Sequence, residues 1–558
     1  MNKIKVKFFN FQIVILLLAL FPIMSACSDK WDEHYEVSQA ADGSLWQTIV
    51  ANPDLSNFAE VVEACGYKPS LDGTQVFTVF APTNQNFTHE RATEIIDLYN
   101  AQKHKGIKDK DNEAIKEFIQ NHIALYNYSA SSSKDEVIRM MNGKMINLKH
   151  SQFANTKLLS TNTLTTNGVL FTIDKQADYS PNVMEMLKKD AELDSVANFI
   201  YAYNKYEFDP LSSVPGEIID GRQQYLDSVT VLDNIILNII GRVDLEDSTF
   251  CMAVPRDTTW QRLLLKNQTY FQYDNAVQMR DSLMYLYPRL NILKGTVFSE
   301  TCNPKMHELN CDSLMSVNAV SYSQRYFEWG SYNKKYYQYD YPNLPGGILY
   351  DTDDAECSNG VLKKTKEWRF DKFNTFMREI VMEGESSSSI DSVDTRVTRA
   401  PMTVSVTPDN PFYNKVSDNS FVAIEAAGTV NTKTVFNIKD VLSNVKYDVY
   451  VVTVPAVAGD TLAPETQRLP SLLCATVYYH DQTGKEVNFK RGTRLTTDPT
   501  KVDSVFVGTF EFPTCSWNLD KPQVKMLIES QVSNSQINNK THTRTLRIDC
   551  IVFKPREN

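Results

Sequence analysis

Aromatic rings and cysteines are the residues in this chain whose spacing could do chemistry. Tyr322, Tyr326, Phe327, Trp329, Tyr332, Tyr336, Tyr337, Tyr339 and Tyr341 crowd one stretch ahead of Pro342-Asn343-Leu344-Pro345-Gly346-Gly347. Rings on a loop offer rigid, amphipathic area for stacking on sugars or for packing against a partner. Trp329, Tyr332, Tyr336 and Tyr339 are therefore the candidate ligand-binding residues, for a glycan or a peptide. The competing expectation is that these rings hold a long loop onto its own domain. Of nine cysteines, Cys27 lies near the start and the other eight come later. Cys65 shares an apolar helix face with Phe58, Val61 and Val62, and Cys474 and Cys550 lie in strand-like runs, where cysteine behaves as a small hydrophobe. Cys302 and Cys311, close together in a loop-like segment, are the best disulfide candidates.

Other chemistry is missing. There is no Cys-x-x-Cys pair for structural zinc, no Gly-x-Ser-x-Gly elbow, no His-Glu-x-x-His, no phosphate-binding glycine loop and no dinucleotide fingerprint. The eight histidines are scattered, so neither catalytic residues nor a required cofactor are expected. Paired carboxylates of glycosidase type escape this reading, because they meet only in three dimensions. A net charge of −11 argues against nucleic acid or an anionic polysaccharide as the main partner, since no run of Lys and Arg appears along the chain.

The start of the chain reads as an export segment. Lys3, Lys5 and Lys7 precede an apolar run from Ile13 to Met24 that ends in Ser25-Ala26-Cys27. A small pair followed by cysteine resembles a bacterial lipobox, which implies removal of residues 1–26 and acylation of Cys27. Several acyl chains anchor a protein stably where one does not. Ser28-Asp29-Lys30-Trp31-Asp32-Glu33, within a tether over 27–35, is similar to the acidic tract that sends lipoproteins of the Bacteroidota to the cell surface. That resemblance implies an outer-membrane, surface-exposed protein. No later stretch has the roughly 18 apolar residues of a membrane span.

An internal repeat organises the chain from residue 36 to residue 365. Leu55-Ser56-Asn57-Phe58 opens an amphipathic helix, and Val76 to Phe87 reads as a buried strand, a proline turn and a helix cap. Helical spacing from Glu113 to Leu125 carries His122, and Asn167-Gly168-Val169-Leu170 makes a tight turn into a last strand. These ordered boxes resemble a fasciclin domain over 36–178, a β-sheet wedge flanked by helices whose usual role is adhesion or ligand display. His122 falls on that family's histidine and is expected to be a packed, hydrogen-bonded residue. A second, divergent copy over 183–365 repeats the helix at Leu193-Asp194-Ser195-Val196, the strand and turn at Thr249 to Asp257, and the closing turn at Asn359-Gly360. It has Arg256-Asp257 where the first copy has Thr83-Asn84, Trp260 where Phe87 stood, no matching histidine, and the aromatic insertion at 296–357.

From 366 to 558 alternating runs such as Phe421 to Ile424, Tyr447 to Val454, Leu473 to Tyr479 and Thr545 to Phe553 are separated by turn residues, which predicts an antiparallel β-sandwich. The strands that open, centre and close this region resemble a carbohydrate-binding jelly roll. In such modules acidic residues of the first and last strands hold a structural calcium, which implies Glu383, Glu385 and Asp549 here. The arrangement as a whole resembles surface lipoproteins that accompany a TonB-dependent transporter and its capping lipoprotein in glycan or peptide uptake. The alternative is a surface adhesin binding host matrix or neighbouring cells.

Overall fold

The computed structural model describes residues 43–128, 135–210, 214–219, 222–227, 230–324 and 332–556, giving only the backbone course for 214–219, 222–227, 230, 321–324 and 332–334 and for Thr161. Cys27, the export segment, the tether and Trp329 lie outside the described residues. The chain divides into two compact units, Met1–Ser180 and Pro181–Asn558. Among the described residues no helix is long and apolar enough to cross a membrane.

In the first unit, Ser44 caps the helix Leu45–Ala51 through a capping box with Gln47. The strand Phe77–Pro82, buried at all six positions, runs parallel to Gly168–Ile173, pairing Phe77 with Gly168 and Pro82 with Ile173. A seven-stranded sheet is completed by Ile123–Ala124 on one side and by Thr156–Thr165, Gln152–Phe153, Met145–Lys149 and Glu136–Arg139 on the other. Parallel neighbours need a crossover, and the helices Ser56–Ala64 and His89–His104 cover the sheet with an apolar layer centred on Phe58, Phe87 and Phe118. Gly168 lies at φ +154°, where a Cβ would stand 2.0 Å from the Phe77 carbonyl oxygen, so the tight turn admits no side chain.

The second unit begins by repeating this plan residue for residue. The strand Phe250–Pro255 is again buried throughout and parallel to Gly360–Thr365, from Phe250 opposite Gly360 to Pro255 opposite Thr365. Asn359 does what Asn167 does. The Asn167 side chain accepts from Leu45 N–H at 2.7 Å and donates to the Leu71 and Gly73 carbonyls. Asn359 accepts from Val183 N–H at 2.9 Å and donates to Val243 and Leu245. Asp257, standing where Asn84 does, still accepts from a helix N–H, that of Ser195 in place of Asn57. The divergence therefore changed residue types and kept the bonds.

The stretch 296–357 is not a loop, which corrects the expectation from composition. Val297–Ser299, Ser313–Gln324 and Tyr332–Asp340 extend the second sheet from Phe250–Pro255, and Thr352–Cys357 pairs with Gly360–Thr365. Turn-rich composition hid a ribbon.

The sandwich belongs to the same unit. One sheet runs Met402–Ser405, Ser420–Ile424, Leu546–Arg556, Lys446–Thr453, Asp503–Glu511, with Ile380–Glu383 added to the edge of Leu546–Arg556. The other runs Ile390–Val393, Lys433–Ile438, Val524–Ser530, Leu472–His480, Glu486–Asn488, with Leu495–Thr496 beside Leu472–His480. The core between the sheets contains Tyr447, Val449, Phe436 and Met526, and it also takes in Tyr270, Phe271, Tyr273 and Phe376 from outside the sandwich. Backbone bonds reinforce this join: Ser443 N–H donates to Tyr270 and Cys515 N–H to Gln272. Burying apolar surface from both parts in one core makes them a single body.

Candidate functional site

Of the acidic set implied by the jelly-roll resemblance, Glu383 and Asp549 meet at one point of the sandwich in a group completed by Cys550, and Glu385 is not part of that group. Along one edge of Leu546–Arg556, the partner changes from Ile380–Glu383, which ends opposite Cys550, to Ser420–Ile424, which starts at Ile548. Asp549 sits in that gap. Along the opposite edge the register slips, because Val451 faces Ile551 while Thr453 faces Ile548, and such a bulge re-aims a side chain. Gly384 closes the gap by donating its N–H to the Asp549 carbonyl at 2.7 Å; a Cβ there would stand 2.7 Å from the Ile548 carbonyl oxygen.

The Asp549 carboxylate is fully buried, and both its oxygens accept from Ser417 N–H, at 3.1 and 3.2 Å. Ser417 also donates its hydroxyl to Glu383 Oε1 at 2.8 Å, and Ser420 donates to Glu385 Oε1. Glu383 Oε2 and Glu385 Oε2 are buried without a hydrogen-bond partner, and none of the three carboxylates makes an ion pair among the described residues. Burial, with the neighbouring Glu385 charge, pushes the Glu383 carboxyl up to about 7, and burial with the Glu383 charge raises Asp549 well above the carboxylate range. Ligand atoms of Glu383, Asp549 and Cys550 lie within 4.8 Å of one another. The Cys550 thiol is held protonated by burial, which leaves oxygen as the available donor. Unpaired carboxylate oxygens of Glu383 and Glu385, beside the buried, hydrogen-bonded Asp549 carboxylate of the last strand, are donors of the kind a hard cation such as Ca²⁺ takes.

A cleft opens beside this region at the junction of the sandwich with the second fasciclin-like copy. Its walls carry Tyr336, Phe376, Arg378, Lys439, Asp440 and Trp517. The Arg378 guanidinium stands 5.1 Å from the centre of the Tyr336 ring, a cation–π contact. The Trp517 backbone N–H donates to Cys515 Sγ at 3.2 Å, and its ring makes an edge contact with Phe271. Burial, and then the Arg378 charge, hold the half-buried Lys294 ammonium below its usual range. Rings beside charged hydrogen-bonding groups can grip a polar ring such as a sugar.

The candidate aromatic residues divide. Tyr332 has only its backbone described, in the strand Tyr332–Asp340. Tyr336 and Tyr339 are each 6% exposed, which corrects the expectation that both are displayed anchors. Tyr339 is packed edge-on against Phe298 and Phe370, at 6.0 and 5.1 Å. Between the pairs Met315–Gln338 and Val320–Tyr336 the ribbon register jumps, and Tyr337 takes φ +60°, so adjacent tyrosines both turn inward against the strand alternation. Among the described side chains, that of Tyr336 lines a cleft. The remaining walls come from segments far apart in sequence, and no local pattern marked them.

The cysteine expectation is also corrected. Cys302 is exposed and Cys311 buried, both are free thiols, and the Cys311 thiol donates to the Ser313 carbonyl at 3.2 Å. Cys65, Cys474 and Cys550 are buried free thiols, as their apolar neighbours implied.

His122 is a clasp in the first unit. It comes just after a π-helical turn, Ala114–Ile119, and its backbone carbonyl accepts from Phe80 N–H. Its ring Nδ1 contacts the Phe118 carbonyl at 2.7 Å and Nε2 accepts from Ala177 N–H at 2.9 Å, so the proton sits on Nδ1. Burial lowers its pKa to about 4. Thr296 takes this place in the second copy, since its carbonyl accepts from Ala253 N–H and its hydroxyl donates to Leu293 at 2.7 Å.

Comparison with known proteins agrees with the repeat where it is least divergent. Residues 53–176 match the fasciclin domain family. The chain is similar to a FAS1 domain pair from the insect cell adhesion molecule Fasciclin I, with 13% identity over 58% of this chain and 99% of that one and a TM-score of 0.19. It is similar to the CBM22-1–GH10 modules of a Clostridium thermocellum endo-1,4-β-D-xylanase, with 12% identity over 32% of this chain and 29% of that one and a TM-score of 0.21. It is also similar to a CBM22-2 xylan-binding domain from Paenibacillus barcinonensis, with 7% identity over 32% and 99% and a TM-score of 0.20. At such TM-scores the fold assignment rests on the strand order and register described above. No curated protein matches the chain.

Proposed function

We propose that this chain is a non-catalytic, surface-displayed glycan-binding lipoprotein, anchored through Cys27, that serves an outer-membrane uptake system as an accessory to a TonB-dependent transporter and its capping lipoprotein. The observation that carries the binding role is the junction cleft, where Trp517 and Tyr336 stand with Arg378, Lys439 and Asp440. A sugar stacks on the half-buried Trp517 ring and exchanges hydrogen bonds with the charged groups, while the buried Tyr336 backs the cleft. The acidic cluster supports the cleft from beside it, because Arg378 and Glu379 lead directly into the strand Ile380–Glu383. Glu383, Glu385 and Asp549 would hold calcium as a structural ion, neutralising carboxylates that otherwise repel.

Calorimetric titration with neutral xylo-, cello- and malto-oligosaccharides tests the reading. Trp517→Ala is expected to weaken binding about thirtyfold, the effect of losing a true aromatic anchor. Trp517→Phe, which keeps a ring and guards against misfolding, should recover most of it. Unaltered affinity in both Trp517→Ala and Arg378→Ala moves the site elsewhere. Binding of a matrix protein with no glycan bound at all favours adhesion.

The anchor is tested separately. Cys27→Ala is expected to release the protein into the periplasm or medium. If protease leaves the wild-type protein on intact cells uncut, surface display is wrong.

A further inference from the structure

A groove on the other side of Phe376 from the junction cleft has a different character. Two adjoining depressions share Lys266, Tyr270 and Lys372. One continues to Asn444 and Arg556, the other to Trp368 and Phe370. The cations come from three places in the chain. Lys266 lies one turn before Tyr270 on the helix Asp257–Tyr270, Lys372 opens the short turn Lys372–Asn374, and Arg556 ends the last strand.

Tyr270 forms a nearly buried floor, and the Lys372 ammonium stands 6.0 Å from its ring. Arg556 is shared with Asp448 at 3.3 Å, and Asp371 on the rim accepts from Phe373 N–H. Lys266 and Lys372 make no ion pair among the described residues. The chain carries 68 acidic residues against 57 basic ones, so two uncompensated lysines facing one groove are unexpected. Like charges lining a concave, low-dielectric surface focus a field that concentrates anions.

We propose that this groove is a second binding site, distinct from the junction cleft, for an acidic polysaccharide whose carboxylate or sulfate groups meet Lys266, Lys372 and Arg556 while its rings lie against Trp368, over the floor that Tyr270 and Phe370 form. The rings select a saccharide over a bare anion. Three cations are too few for a nucleic-acid backbone, whose binding draws on a longer row of phosphate contacts. Charge counted along the sequence argues against an anionic polysaccharide for want of clustered lysines; folding supplies the cluster.

The test titrates the full chain with oligogalacturonate, chondroitin sulfate, xylohexaose and inorganic sulfate. Acidic glycans are expected to bind in a salt-sensitive way, and the two acidic probes separate carboxylate from sulfate. The double variant Lys266→Gln/Lys372→Gln should lose at least tenfold in that affinity with its thermal midpoint unchanged, while Trp517→Ala leaves it intact. Tyr270 is avoided, because it belongs to the shared core. Acidic glycans binding no better than xylohexaose, inorganic sulfate competing at equal concentration, or loss of binding in Trp517→Ala with the double variant unaffected would each overturn the proposal.

Discussion

Stripping divalent cations with a chelator is expected to lower the thermal midpoint of the Pro181–Asn558 unit by several degrees, and millimolar calcium to restore it. An ion that binds only the folded state stabilises by RT ln(1 + [L]/Kd), about 4 kcal/mol at a thousandfold excess over Kd. The reason to expect binding is geometric: Glu383 Oε2 and Glu385 Oε2 are buried without partners beside a fully buried Asp549. Asp549→Asn separates the ion from the fold. An amide keeps an acceptor for Ser417 N–H and removes one negative charge, so in chelator the variant should be at least as stable as the wild type. It should gain nothing from calcium. A midpoint indifferent to chelator in the wild type, or a calcium response preserved in Asp549→Asn, would remove the ion from this site.

The first unit should behave as a pH-sensitive body through His122. With its folded pKa near 4 and an ordinary value of 6.5, the unfolded chain holds the extra proton between those limits. Stability is therefore fully present above about 6.5 and is lost as pH falls toward 4, by about 3 kcal/mol. Amide hydrogen exchange within Met1–Ser180 reads this without interference from the second unit. His122→Ala is expected to cost about 4 kcal/mol, because it leaves the buried Ala177 N–H without its acceptor, takes one donor from the Phe118 carbonyl, which keeps Asn121 N–H, and leaves a cavity beside Phe58 and Phe118. In that variant the acid-side slope should flatten. If it keeps the wild-type slope, another group is responsible.

Much of the fold could be read from the chain because it is written in neighbours. A largely apolar run such as Phe77–Pro82 and an Asn-Gly turn are properties of a few consecutive residues, although the Phe77 carbonyl that Gly168 lies against is brought there by the fold. They survive in the second copy even with Arg256-Asp257 in place of Thr83-Asn84, since backbone bonding tolerates a change of side chain that keeps an oxygen acceptor. The acidic residues were named only through the jelly-roll resemblance; Glu383 ends its strand, Glu385 follows it and Asp549 lies within the last strand. Substitution by chemistry rather than type was not legible: nothing in Thr296 announces that it takes the place of His122, bonding the carbonyl three residues back where His122 reaches four back.

What the chain alone determined, then, is the order of its elements and which residues face inward, since helix caps, turns and the two- and 3.6-residue periods act over a few residues. Which distant residues become neighbours was decided only by the tertiary structure. The ribbon slip that turns the adjacent Tyr336 and Tyr337 both inward comes from how strands register. The meeting of Arg378, Asp440 and Trp517 at one cleft, and of Lys266, Lys372 and Arg556 at another, comes from a core shared between two architectures. Burial of Tyr270, Phe271 and Tyr273 against the sandwich sets those distances, and the hydrophobic effect that drives it is non-directional and blind to separation along the chain.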